Sequence, residues 1–123
     1  MAWAWILAGF ASGALLGLGF ARNNWLGGYA SHRRRLYRLG HISFFGLGFV
    51  NLVFYLTAQA LHDPSATLLG LASWTFVVGA LTMPVCCLVM AHRPDARPHT
   101  LFALPVASLL AGATLTLCLM VNL

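Results

Sequence analysis

The chain has no lysine and no glutamate, and only 7% of its 123 residues are charged, with seven arginines standing against two aspartates, Asp63 and Asp95. A soluble domain carries about a quarter charged residues, so water cannot be the main solvent of this surface. The shortage of carboxylates excludes the paired acids that acid–base hydrolysis needs. The cysteines, Cys86, Cys87 and Cys118, are too few and wrongly spaced for a zinc motif or a disulfide framework. Long polar loops, the usual carriers of an active site, are also missing, which argues against a stand-alone enzyme.

What fills the chain instead is apolar, at 60% of the residues. Residues 3–21, 41–61, 67–91 and 100–121 contain no Asp, Glu, Lys or Arg. Each run is long enough to cross a hydrocarbon core of about 30 Å as a helix rising about 1.5 Å per residue. The expected fold is an all-α integral membrane protein, a single domain over residues 1–123 with four transmembrane helices in an up-down bundle. No basic residue precedes the first run, and that run exceeds a signal-peptide core, so it reads as a retained span.

All seven arginines fall in the two links at 22–40 and 92–99, and none in the link around residues 62–66. The positive-inside bias then makes those two links cytoplasmic and places both termini outside, as in a bacterial inner-membrane protein. Trp25, Tyr29 and Tyr37 suit the headgroup layer, so the first link reads as an interfacial basic-aromatic segment, with Ser31 as the N-cap of a helix leading into span two. Arg33, Arg34, Arg35 and Arg38 are expected to face anionic headgroups, at about 1 kcal/mol each. Because the basic clusters abut spans, phospholipid is the nearer anion and nucleic acid is not expected as a partner.

Gly9, Gly13 and Gly17 recur every fourth residue and offer a face on which another helix backbone approaches closely; Ser108, Ala111 and Gly112 offer a second. Asn51 lies ten residues into span two, roughly 15 Å deep, where an amide is expected to hydrogen-bond to a neighbouring helix.

Histidine carries the remaining chemistry. His41, His92 and His99 all fall at cytoplasmic span ends and would converge at one depth in a bundle. Imidazole ligates haem iron, Gly48 on the same helix face as His41 would leave room for a porphyrin, and the arginines would pair with its propionates. The bland alternative, histidines that are simply polar groups at an interface, needs no ligand. Met83, Cys86 or Cys87, and Met90 fall on one face of span three and suit Cu(I) or plain core packing. The pair Cys86-Cys87 resembles the dicysteine of mercury-import membrane proteins, and Val50-Asn51-Leu52 resembles the second helix of fluoride channels. The second cysteine pair of the former and the third-helix motif of the latter are absent here, so neither function carries over. Small multidrug transporters are excluded by the missing span-one glutamate.

These features lead us to expect a small membrane subunit or assembly partner of a larger respiratory or electron-transfer complex, the sharpest variant of which adds a b-type haem near its cytoplasmic face. The competing expectation is a homo-oligomeric channel or carrier for a small neutral solute, lined by Asn51, Thr57, Ser73 and Thr114. A third is a lipid-interacting protein acting through the arginine cluster.

Overall fold

Runs of apolar residues without a charge become helices because a helix satisfies its backbone N–H and C=O groups internally, which is what an apolar solvent demands. The computed structural model describes residues 1–93 and 98–121, including every side chain except those of 98 and 99. Four helices form, α1 (Ala2–Gly19), α2 (His32–Ala60), α3 (Ala66–His92) and α4 (Pro98–Val121), with a short 3-10 turn at Trp25–Gly27 between the first two. Each of the four is long and apolar enough to cross a membrane.

The start of α2 is set locally. Ser31 caps it, its Oγ accepting from the Arg34 N–H at 3.1 Å and donating to the Leu26 carbonyl at 2.6 Å. The arginine-rich stretch is therefore the first turns of α2 itself, continuous with the apolar part. In the link before it the backbone turns through the left-handed region at Leu26, Gly27 and Gly28, with φ of 55°, 85° and 91°. Two of these positions are glycine, which adopts such angles at no steric cost. The turn folds the link back so that the Trp25 indole lies on Gly19, where a Cβ would overlap it.

Neighbours in sequence are neighbours in space. Along the α1–α2 contact, Gly48 packs on Ile6, Gly9 on the Phe45 ring and Gly13 on the His41 ring. Phe10 and Trp5 meet Phe45 and Phe44 edge-on at 5.2 and 5.7 Å. Residue numbers fall on one helix as they rise on the other, so the two run in opposite directions. The same holds for α2 and α3, where Gly40 faces Cys87 and Phe54 meets Phe76 at 5.0 Å, and for α3 and α4, where Gly79 faces Leu109 and Gly112 faces Thr75 and Phe76. The helices thus stand in a row, and α1 and α4 at its ends share at most a marginal contact. The core lies along α3, at Ala72, Phe76, Ala80, Cys87 and Met90. The outer faces carry large apolar side chains such as Leu18, 79% exposed, and Trp3, 75% exposed, a surface suited to lipid rather than to water.

Within this chain the glycine stripe packs at Gly9 and Gly13, and a Cβ built on Gly17 has nothing within 4 Å. Asn51 does not bond across helices; its Nδ2 donates to the Leu47 carbonyl at 2.8 Å, one turn back on α2. Most hydroxyls in the helices do likewise, among them Ser43 to Gly40, Thr75 to Ala72 and Thr114 to Leu110. A carbonyl three or four residues back is always within reach, whereas a partner helix offers one only at a matching depth.

Candidate functional site

The chemistry-bearing side chains gather where α2 begins. Arg34 enters the interior: it is only 4% exposed, and its guanidinium lies 4.9 Å from the centre of the Phe20 ring, 5.2 Å from Tyr29 and 5.8 Å from Trp25. It was expected to face lipid phosphate. The folded-back link instead lays three rings over it, each offering the negative face of its π-system to the cation. Its buried Nε has no hydrogen-bond partner among the described residues. Tyr29 receives a second guanidinium, Arg38, at 4.9 Å. Arg35 is exposed and donates to the Ala30 carbonyl at 3.2 Å. The link is thus clamped to α2 by the residues that were expected to bind headgroups. Spacing carried this signal, since Arg34, His41 and Gly48 recur every seventh residue and so share a helix face.

Arg33 is exposed and reaches α3. Its guanidinium donates to His92 Nδ1 at 2.8 Å, and His92 Nε2 lies 2.8 Å from the Tyr37 hydroxyl. A guanidinium only donates, so Nδ1 accepts; the imidazole is the neutral tautomer with its proton on Nε2, donated to Tyr37. Both ring nitrogens of His92 are occupied, and it would bind a metal only by releasing Arg33 or Tyr37. The side chain of His99 lies outside the described residues.

His41 sits one turn further along α2, apart from His92. Its Nδ1 is 3.0 Å from Ser12 Oγ on α1, and that hydroxyl also lies 3.0 Å from the Gly9 carbonyl, so its single proton serves either Gly9 or His41 according to the His41 tautomer. Nε2 has no hydrogen-bond partner among the described residues. Phe45 supports the ring edge-on at 5.4 Å. His41 lines a cavity of about 240 Å³ enclosed by α1, the Trp25 turn, α2 and α3. Its other walls are almost all apolar, with Trp25, Tyr37, Phe44 and Pro84 among them.

This geometry bears on the expected haem. A histidine that holds a metal through Nε2 donates its Nδ1–H to a second group, a role that Ser12 Oγ, 3.0 Å from Nδ1, could fill here. The cavity, however, is smaller than the roughly 300–1,000 Å³ of pockets that enclose drug-sized ligands, and a porphyrin belongs to the upper part of that range. Gly48 provides no extra room, because Ile6 of α1 fills the space in front of it at 3.0 Å from a built Cβ.

Of the sulfur side chains on α3, the two cysteines have neighbours of their own. Cys86 points its Sγ at the Leu101 carbonyl at 3.1 Å and Cys87 is buried against Gly40, and the described residues hold no cluster of His, Cys, Asp or Glu suited to a metal ion. Towards the other end of the spans, a cleft of about 730 Å³ runs between the start of α1, α2 and α3, and Asn51, Tyr55, Gln59 and Ser73 line it. Thr57 and Thr114 are not in its lining.

Four helices, each long and apolar enough to cross a membrane, point to a helical membrane protein. No protein-family model matches the chain, and no curated protein or solved structure matches it either.

Proposed function

We propose that the protein is a small integral membrane subunit or assembly partner of a larger complex of the respiratory or electron-transfer type, held in a bacterial inner membrane. Its spans would stand as an up-down bundle with both termini outside and the arginine-rich end in the cytoplasm, as the positive-inside bias requires. One observation carries the reading: among the described residues α1 packs chiefly on α2 and α4 chiefly on α3, so two of the four helices present a largely uncovered flank. A row of helices is completed by helices from elsewhere, and the protein has almost no extramembrane mass to do other work.

Purification from native membranes in mild detergent, followed by identification of what accompanies the chain, tests this. Stoichiometric membrane subunits support it, and a lone monomer in detergent and in nanodiscs defeats it. A b-type haem belongs to this reading through His41 Nε2, and binding one would require α1 to move away from α2. A reduced-minus-oxidised spectrum that His41→Ala abolishes would establish it.

The cleft at Asn51 and Ser73 favours a second reading, a homo-oligomeric channel or carrier for a small neutral solute. A stable homo-oligomer without other subunits, together with solute flux in liposomes, would select it.

A further inference from the structure

Arg34 is the one charged side chain buried among the described residues, at 4% exposed, and it is buried without an acid. The rings of Phe20, Tyr29 and Trp25 attract the cation, but no described residue accepts a hydrogen bond from its guanidinium, and its buried Nε stands without a partner. A guanidinium carries five N–H donors, and a buried charge left unpaired is costly. Arg38, one turn further along α2, is held in the same way. Its guanidinium lies 4.9 Å from the centre of the Tyr29 ring, which Arg34 approaches at 5.2 Å. One ring thus gathers two like charges. The chain has two acids, Asp63 in the turn at the far end of α2 and Asp95 outside the described residues. What the pair lacks is an anion.

Position says where that anion comes from. Gly19 ends α1 and His32 begins α2, so the cluster sits where two spans emerge, at the level of the headgroup layer. Tyr29 is 66% exposed and Arg38 is half-buried, which puts the approach to the pair over this ring. The neighbouring arginines are engaged elsewhere, Arg33 with His92 and Arg35 with the Ala30 carbonyl.

We propose that Arg34 and Arg38 form a binding site for a phosphate-ester anion, supplied at this depth by the headgroup of an anionic phospholipid. A guanidinium pairs with phosphate oxygens through its planar fork of N–H groups, and in both residues that fork meets no acceptor among the described residues. The site is narrower than a diffuse attraction of the whole basic run, since two of the four arginines at the start of α2 make it and two do not. It goes beyond the reading of the chain as a complex subunit and holds with or without partner subunits.

The test uses the full chain in a mild uncharged detergent, titrated separately with dihexanoyl phosphatidylglycerol, dihexanoyl phosphatidylcholine and glycerol phosphate, with the bound fraction counted by native mass spectrometry. Phosphatidylglycerol is expected to bind saturably, and the zwitterionic lipid with the same tails at least about fivefold more weakly. Arg38→Gln is expected to weaken phosphatidylglycerol by about fivefold or more, as the loss of one basic contact does, and Arg34→Gln by more. Arg35→Gln removes the same charge from a neighbouring exposed position, where salt screens it, and is expected to change the affinity by less than about twofold. Arg38→Gln leaves the caged residue in place, so it decides the matter if Arg34→Gln does not fold. Glycerol phosphate bound as tightly as the lipid would keep the phosphate site and move its source to the water phase. No saturable binding of either, equal affinity for the two lipids, or equal losses in Arg35→Gln and Arg38→Gln would overturn the proposal. So would an Asp95→Asn variant that unfolds as readily as Arg34→Gln, because the missing anion would then be a carboxylate of this chain.

Discussion

Arg33 and His92 stand 59 residues apart in sequence and 2.8 Å apart in space, and the guanidinium fixes which nitrogen of the imidazole is bare. With the Tyr37 hydroxyl on the other nitrogen, the contact ties the first turn of α2 to the last turn of α3. These groups are exposed, so each bond is worth the lower part of the usual range of about 0.5–1.5 kcal/mol. A double-mutant cycle with Arg33→Ala and His92→Ala, read by unfolding in mixed micelles, is expected to return a coupling of about 0.5 kcal/mol. Strict additivity of the two losses would mean that the pair is not formed.

Arg34 offers a sharper contrast, because its cation is enclosed by rings and not by acids. Truncation to Ala removes the attraction of Phe20, Tyr29 and Trp25 and leaves a void under the link, a loss of about 2 kcal/mol or more. Arg34→Lys retains the charge but not the flat guanidinium that stacks on rings, and is expected to recover only part of it. The link should become open to protease in Arg34→Ala at a protease level that spares the wild type. Equal protection of the two proteins would show that the aromatic cage does not hold the link.

The glycines of α1 separate into those that matter and one that does not. A Cβ at Gly9 would lie 2.8 Å from the Phe45 ring and one at Gly13 would lie 2.7 Å from the His41 ring, whereas one at Gly17 meets nothing. Gly9→Ala and Gly13→Ala should each cost about 1–3 kcal/mol through overpacking. Gly17→Ala should be neutral or mildly stabilising, since alanine is the better helix former by about 1 kcal/mol. Thermal unfolding in detergent compares the three directly, and a Gly17→Ala as harmful as the others would contradict the packing described here.

Much of this was legible in the residues, and the parts that were not share a cause. Charge-free runs announce four helices, and Ser31 announces its cap, because both are local properties. Asn51 was misjudged because depth in a membrane does not say what stands opposite, and a carbonyl one turn back satisfied it; Gly17 shares the periodicity of Gly9 and Gly13 but meets nothing within this chain. Arg34 and Arg33 occupy adjacent positions in one basic run, yet one is buried and the other crosses to α3. Only the direction each Cβ takes around α2, set against a link that folds back, separates them. Of the histidines expected to converge, His41 and His92 lie at the same end, where Ser12 meets the one and Arg33 and Tyr37 meet the other, and the side chain of His99 lies outside the described residues.

The orientation proposed for the chain makes the last prediction. Every arginine of the described segments except those in the first link lies at Arg93, beside the end of α3, and the turn between α2 and α3 has none. If those charges face the cytoplasm, the turn at 61–65 faces outward. A variant with Cys86, Cys87 and Cys118 replaced by Ala and Ser65→Cys added places one thiol in that turn, at a position whose side chain makes no capping bond. A membrane-impermeant maleimide should label it in intact cells of a bacterial host. The same background carrying Arg35→Cys, at an exposed position on the opposite side, should react only after the membrane is permeabilised. Because Arg35→Cys removes one of the charges that set the orientation, Tyr29→Cys, also exposed and leaving all seven arginines in place, provides the check. Labelling of the arginine-rich side from outside, with the turn at 61–65 protected, would invert the topology and move the His41 cavity to the outer leaflet.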